Sequence, residues 1–272
     1  MHIDQAQPPE PDDLGTSRLR RARGWIRLAV AMAIIAVAIR EGYRAWFGPE
    51  SKIPARLRSA LPANCRQVVL VLSPSAESVP AQMWLLQRRS SSHRWEMNAG
   101  PIDVSLGRNG LARGEGEHYV EAIPSDFRIK QEGDGCSPAG VFRIPFAFGY
   151  GNRDAAGAVR LPYVHVTDQL VGVDDVKSKF YNQVIDASTV VPDWESRETM
   201  LRPDGLYRWG AFIAHNPQIR SGGGSCIFFH LWSGPGRPTA GCTAMAETDV
   251  VRLLAWLDPA MEPRLVQGLS GW

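Results

Sequence analysis

Between Gly222 and Met245 the chain sets a histidine inside an apolar run and a cysteine directly behind a glycine. These two placements constrain the rest of the reading. Cys226 to Trp232 is apolar apart from His230, with Phe228 and Phe229 adjacent, and this predicts a buried strand that delivers His230 at its end. Ser233 to Pro238 is a tight connection rich in turn residues, after which Thr239, Ala240, Gly241 and Cys242 bring in a thiol among small residues that leave backbone N–H groups uncovered. An ordinary thiol ionises near pH ~8.5, so at neutral pH it needs a histidine, or N–H groups aimed at the sulfur, to serve as a nucleophile. His230 is the candidate base, and its removal is expected to raise the pH at which the thiol reacts. The N–H groups of Gly241 and Cys242 are candidate oxyanion donors, each worth roughly 3–4 kcal/mol in measured systems. Taken singly, a buried cysteine is more often a small hydrophobe and a strand-end histidine a satisfied core group, so the local pattern carries the reading.

His230 followed by Thr239, Gly241 and Cys242 resembles the signature of the L,D-transpeptidase catalytic domain, the YkuD-type family of bacterial cell-wall enzymes. The segments 134–144, 146–150, 173–184, 207–216 and 224–232 resemble, in that order, blocks of one branch of the family, so the likeness covers about residues 66–258. It implies a mainly β fold with α elements, an L,D-transpeptidase-like β-sandwich with a helix after the catalytic cysteine. It also implies acyl transfer on peptidoglycan peptide stems, with Cys242 as nucleophile and His230 as base and then acid. The acceptor is left open: an amine of a neighbouring stem, an amine of an envelope protein, or water. This chain departs from many members at three points. Only twelve positions separate His230 from Cys242, Ala240 stands where others carry histidine, and Ala244 stands where others carry Arg or Asn. Arg237, between Gly236 and Pro238, is the nearest basic residue and is assigned the recognition of substrate carboxylates. Thr239, Tyr181, Asn182 and His215 complete the expected substrate-binding set.

Residues 1–24 read as a disordered acidic tail followed by a basic stretch, and 25–47 as a signal peptide or a retained signal anchor. Five arginines lie between Arg18 and Arg27, and the next twelve residues, Leu28 to Ile39, carry no charge. A spanning helix usually needs ~20 apolar residues and a signal-peptide core ~7–15, so cleavage and retention both stay open. Either way the body is expected to be exported to the periplasm, beside the cytoplasmic membrane if the anchor is kept. Residues 48–65, with Pro49, Pro54 and Pro62, read as a linker holding one short basic helix, and 66–272 as the catalytic domain.

Within that domain, 67–73, 82–89, 93–98 and 101–107 predict short strands, and the glycine-rich stretch 107–116 a hairpin loop rather than a phosphate cradle, since no strand-to-helix context or Lys-Ser follows. Residues 134–144 predict a turn, with Asp134 forming it, and then a strand. The neighbouring Asp174 and Asp175 invite a glycosidase reading, but adjacent residues of an extended chain point to opposite faces. A strand is expected to end at His215 and Asn216, and a helix over 247–259, capped by Thr248 or Asp249, with Val250, Leu253, Leu254 and Leu257 on one face. The cysteines at 65, 136, 226 and 242 show no metal-ligand spacing, so no metal or other cofactor is implied; an oxidising compartment would permit one disulfide among the first three, pairing open. A net charge of +2 without a basic block in the body of the chain gives no nucleic-acid signature.

Overall fold

The computed structural model describes residues 52–116, 123–153 and 159–272. The expected tail and targeting segment, 1–24 and 25–47, lie outside these. No helix among the described residues is long and apolar enough to cross a membrane.

The chain is mainly β, as the sequence predicts. Its largest element is an eleven-stranded mixed sheet in which β1 (Gln67–Ser73) is an interior strand whose seven residues are all buried. Valines and leucines with no polar alternation suit a strand covered on both faces, and each buried side chain of that size is worth ~1.5–3 kcal/mol. β2 (Pro80–Gln87) pairs antiparallel with β1, and β14 (Arg264–Leu269) parallel on its other side, carrying β5 (Ser137–Arg143) and β4 (Leu111–Arg113) to the edge. From β2 the sheet continues through β3 (Glu96–Ser105), β13 (Thr243–Met245), β12 (Phe228–Leu231), β11 (Trp209–Phe212), β6 (Ala147–Gly149) and β7 (Tyr163–His165). A separate three-stranded sheet is formed by β10 (Glu198–Thr199), β8 (Leu170–Val173) and β9 (Gln183–Asp186), with β8 in the middle.

Four expectations are corrected here. The two strands predicted over 93–98 and 101–107 are one, β3, because Gly100 and Pro101 are absorbed as an irregularity in its pairing with β2 instead of ending it. Gly100 has φ of 119°, and a Cβ there would lie 2.6 Å from the Trp84 ring, so only glycine fits. The glycine stretch from 107 closes a tight turn, with Gly107 bridging Gly110, but then yields strand β4 and not a simple hairpin. The described part of the expected linker, 52–65, is tied to the body: α1 (Ala55–Arg58) is a single turn, and Ile53 and Leu57 are buried in the main core. The C-terminal helix, α2 (Glu247–Trp256), is capped neither by Thr248 nor by Asp249: Ala246 is its N-cap, with no side-chain cap, and it ends before 259. Glu247 and Asp249 instead sit in its first turn, where the helix dipole favours acids. Its buried face is the expected one, Val250, Leu253 and Leu254, with Leu257 just beyond.

Candidate active site around Cys242 and His230

β12 and β13 are parallel neighbours, with His230 opposite Ala244 and Phe229 opposite Thr243. Cys242 immediately precedes β13, so sheet pairing alone brings the histidine strand and the cysteine together, although ten loop residues separate Trp232 from Thr243. Both side chains belong to residues only 7% exposed, and both line one cavity of about 490 Å³.

The backbone at Cys242 is fixed by hydroxyls. Its carbonyl accepts from Ser137 Oγ at 2.9 Å and from Thr239 Oγ1 at 2.7 Å. Ser137 Oγ in turn accepts the Gly107 N–H at 2.9 Å, and Thr239 is tied to the end of β3 through its N–H to the Leu106 carbonyl at 3.0 Å. Gly241 has φ of 152°, and a Cβ there would meet the Cys136 carbonyl at 3.0 Å, which explains the glycine before the thiol. This arrangement corrects two assignments. Gly241 N–H donates to Thr239 Oγ1 at 3.1 Å and is not free for an oxyanion. The Thr239 hydroxyl is committed to Cys242 and not to a substrate, although the residue lines the cavity. The Cys242 N–H has no partner in the backbone network of the described residues and remains the oxyanion candidate.

The thiol donates toward the Cys226 carbonyl at 3.6 Å and accepts the Phe228 N–H at 3.3 Å. Burial, followed by the negative charge of Glu198, pushes it up to about 12, against the opposing pull of the Phe228 N–H. The start of α2 gives it no help: β13 and Ala246 intervene, roughly 13 Å of extended chain. His230 Nδ1 lies 2.7 Å from the Leu231 carbonyl, an oxygen that can only accept. The ring is therefore the Nδ1–H tautomer, and its Nε2 lone pair is left to receive a proton. Burial holds His230 down to about 4, so at neutral pH the pair is thiol and neutral imidazole. At pH 7 the thiolate fraction of Cys242 is on the order of 10³-fold below that of an ordinary cysteine. Iodoacetamide should accordingly alkylate the free protein at Cys242 slowly at neutral pH, and a profile rising to a plateau near pH 7 would contradict this state.

His230 packs its ring edge against Tyr207, with centroids 5.1 Å apart, and the Tyr207 hydroxyl donates to Glu198 Oε1. Arg202 lies over the same Tyr207 ring at 5.1 Å and is held by Asp204. Glu198, Arg202 and the Tyr207 ring all line the cavity. None was singled out from sequence, because β10 has two residues and the loops flanking it have no periodicity. Ser137 went unnoticed inside a block read only as a turn and strand, and Asp134 in that block does form the turn, accepting from the N–H groups of Gln131 and Cys136.

Arg237 is exposed and lines the cavity, as does Ala244. Tyr181, Asn182 and His215 do not. The Tyr181 hydroxyl is buried on Glu132 at 2.5 Å, and it accepts the Gly224 N–H at 3.1 Å. Asn182, at φ of 59°, donates to the carbonyls of His215 and Asn216 and accepts the Cys226 N–H, which fixes the turn before β12. His215 accepts from Glu115 N–H through Nδ1 and donates through Nε2 to the Gly223 carbonyl, so both nitrogens are used. These three are internal scaffolding and not substrate contacts. Asp174 and Asp175 diverge, as adjacent residues should: Asp174 reaches the cavity, while Asp175 accepts the N–H groups of Lys177 and Glu195. All four cysteines are free, so no disulfide joins Cys65, Cys136 and Cys226. No group of three or more His, Cys, Asp or Glu among the described residues could hold a metal. Comparison with protein-family models, curated proteins and solved structures finds no match to this chain.

His215 and His230 are both buried and both held at about 4, below the ordinary 6.5, by that burial. Between those values the unfolded chain binds their protons and the folded one does not. Stability is full above 6.5 and falls as pH drops toward 4, by up to about 3 kcal/mol per histidine. The aspartates Asp175, Asp186, Asp193 and Asp204 are held below 3.8 by hydrogen bonds, so their loss comes at still lower pH. Urea unfolding at pH 7.5, 6 and 4.5 should show the decline, and equal midpoints would contradict it.

Proposed function

We propose that this chain is an exported cysteine acyltransferase of the L,D-transpeptidase kind, with that family's sandwich fold, working on the peptide stems of peptidoglycan in the periplasm. The observation that carries the proposal is the pairing in one cavity of the Cys242 thiol with an imidazole whose Nδ1 proton is locked on the Leu231 carbonyl. In this reading His230 Nε2 takes the thiol proton as the sulfur attacks the stem's peptide carbonyl, and the Cys242 N–H meets the developing oxyanion. The proton passes from His230 to the departing amine of the terminal D-alanine, leaving a thioester on Cys242. An amine of another stem, an amine of an envelope protein, or water then receives the acyl group. Water as acceptor would make the protein an L,D-carboxypeptidase. A catalytically silent wall-binding domain would leave the thiol unacylated, and a papain-like protease has its cysteine before its histidine, the reverse of this chain. The N-terminal segment 25–47 supports export, with the cytoplasmic membrane as neighbour if it is kept.

Arg237 is the carboxylate anchor in this account, since Ala244 places no polar group on the same cavity wall. Its guanidinium offers a fork that lysine lacks. Arg237→Lys should lower kcat/KM on a tetrapeptide donor about 10-fold, and Arg237→Ala by about 10²-fold. Alkylation of Cys242 by a small neutral reagent should be unchanged in both. Wild-type donor kinetics in Arg237→Ala would remove the anchor. The acyltransferase reading itself is tested by digesting purified sacculi with the protein and identifying the muropeptide products by mass spectrometry.

A further inference from the structure

The cavity around Cys242 carries charges of both signs, and they are not held in the same way. Of its five cations, Arg108, Lys130, Arg197, Arg202 and Arg237, two are neutralised from outside it: Lys130 Nζ lies 2.7 Å from Asp134, and Arg202 meets Asp204 through hydrogen bonds of 3.0 and 2.6 Å. Its carboxylates are instead oriented by neutral hydroxyls. Asp174 accepts from Ser196 at 2.6 Å, and Glu198 from Tyr207 through Oε1, with Arg202 no closer to that oxygen than 3.8 Å. A hydroxyl aims a carboxylate without cancelling its charge. Glu198 Oε2 has no hydrogen-bond partner among the described residues. A second feature, independent of the acids, marks the same space for a ligand. His230 is 7% exposed, lines the cavity, and its Nε2 is unpartnered among the described residues. Tyr207 joins the two groups, its hydroxyl on Glu198 and its ring edge on His230.

We propose that Glu198 is the acceptor-side catalytic residue: it binds the acyl acceptor as a primary ammonium and removes one of its protons, so that the amine attacks the thioester on Cys242. The inference rests on the acyl-transfer reading and deepens it by assigning a residue of this chain to the acceptor step, one that favours an amine over water. The incoming R–NH3+ gives one proton to Glu198 Oε2, and the freed nitrogen lone pair forms the C–N bond. Nε2 of His230 takes the second proton as the tetrahedral intermediate collapses. The C–S bond then breaks, the sulfur leaves as thiolate, and it regains a proton from His230. Glu198 returns its proton to solvent, so amide, thiol and one released proton balance the thioester and the ammonium. Burial, then the nearby charges of Asp174 and Glu132, hold the Glu198 carboxyl above the ordinary carboxylate range despite Tyr207 and Arg202, which makes it a better proton acceptor. Asp174 acts on Glu198 and adds negative charge beside it, a local hold on a cation that neutral water does not share.

The test is the partition of one acyl-enzyme between two acceptors. Full-length protein is acylated with a tetrapeptide donor in the presence of a primary amine such as glycinamide, and aminolysis and hydrolysis products are counted by mass spectrometry while the acylation rate is followed separately. Glu198→Gln should lower the amine-to-water product ratio by about 10²-fold, far more than it lowers the rate of acylation. Asp174→Asn should lower the ratio about threefold through charge alone, and Glu198→Asp should recover part of it. An unchanged ratio in Glu198→Gln, or a loss of acylation as large as the loss in ratio, would overturn the assignment of Glu198. Failure of the wild type to form any acyl-enzyme would overturn the acyl-transfer reading itself.

Discussion

Cys242→Ala is expected to abolish acylation by a tetrapeptide donor, lowering the rate by a factor on the order of 10⁴ or more. The thiol shares the cavity with an available imidazole nitrogen, and the cavity's second thiol, Cys226, is turned to the Val173 carbonyl. Cys226 is the instructive control, because it is also buried, also lines the cavity and lies in the same small core cluster. Its sulfur, however, points toward the Val173 carbonyl at 3.7 Å, and a Cβ on Gly172 would lie 2.9 Å from it, which places it under the three-stranded sheet. Cys226→Ala should keep acylation within about twofold of the wild type. The fold should survive Cys242→Ala, since losing one buried sulfur costs on the order of 1 kcal/mol. A Cys242→Ala protein that still becomes acylated would remove the nucleophile from the account.

The second large effect is expected from His230→Ala, a fall in acylation of about 10²–10³-fold. Its pattern matters as much as its size. Were Cys242 and His230 a resting ion pair, losing the imidazolium would also raise the pH at which the thiol is alkylated, as the sequence alone suggests. The structure argues otherwise, because both groups are neutral in the free protein and the thiol is raised by burial, with no contribution from His230. Alkylation by a small neutral reagent should therefore keep nearly the same pH profile in His230→Ala, while acylation falls. A profile displaced to high pH by the substitution would restore the ion pair. Substitutions of His215 should act on stability instead, since its ring nitrogens join two segments, Nδ1 at the Glu115 N–H and Nε2 at the Gly223 carbonyl.

The chemistry-bearing pair was legible because each residue sits in a strong local pattern. His230 is the single polar group in an apolar strand, and Cys242 follows a glycine that the backbone geometry requires. β1, with seven buried residues, and the face of α2 were legible for the same reason, a period or run that only burial explains. Elsewhere the same residue types served two purposes that sequence cannot separate. Tyr181, Asn182 and His215 have the polar character of cleft residues, yet each uses that character to satisfy buried backbone groups. The stretch 48–65 looked like a linker because its prolines are frequent. Ile53 lies just before a one-turn helix that holds Leu57, a stretch too short to show a helical period, and both fill the core all the same. Glu198 and Ser137 were hidden for a third reason: their roles depend on partners 9 and 105 positions away in the chain, Tyr207 and Cys242. Only the sheet order brings such partners together.

The central claim is that Cys242 carries an acyl group from a peptide stem, and intact-protein mass spectrometry of the full-length chain with a tetrapeptide donor tests it most directly. The account predicts a wild-type adduct equal to the donor less its terminal alanine, mapped to Cys242, retained in Cys226→Ala and absent in Cys242→Ala. No adduct on the wild type, or an adduct mapped to Cys226, would contradict it.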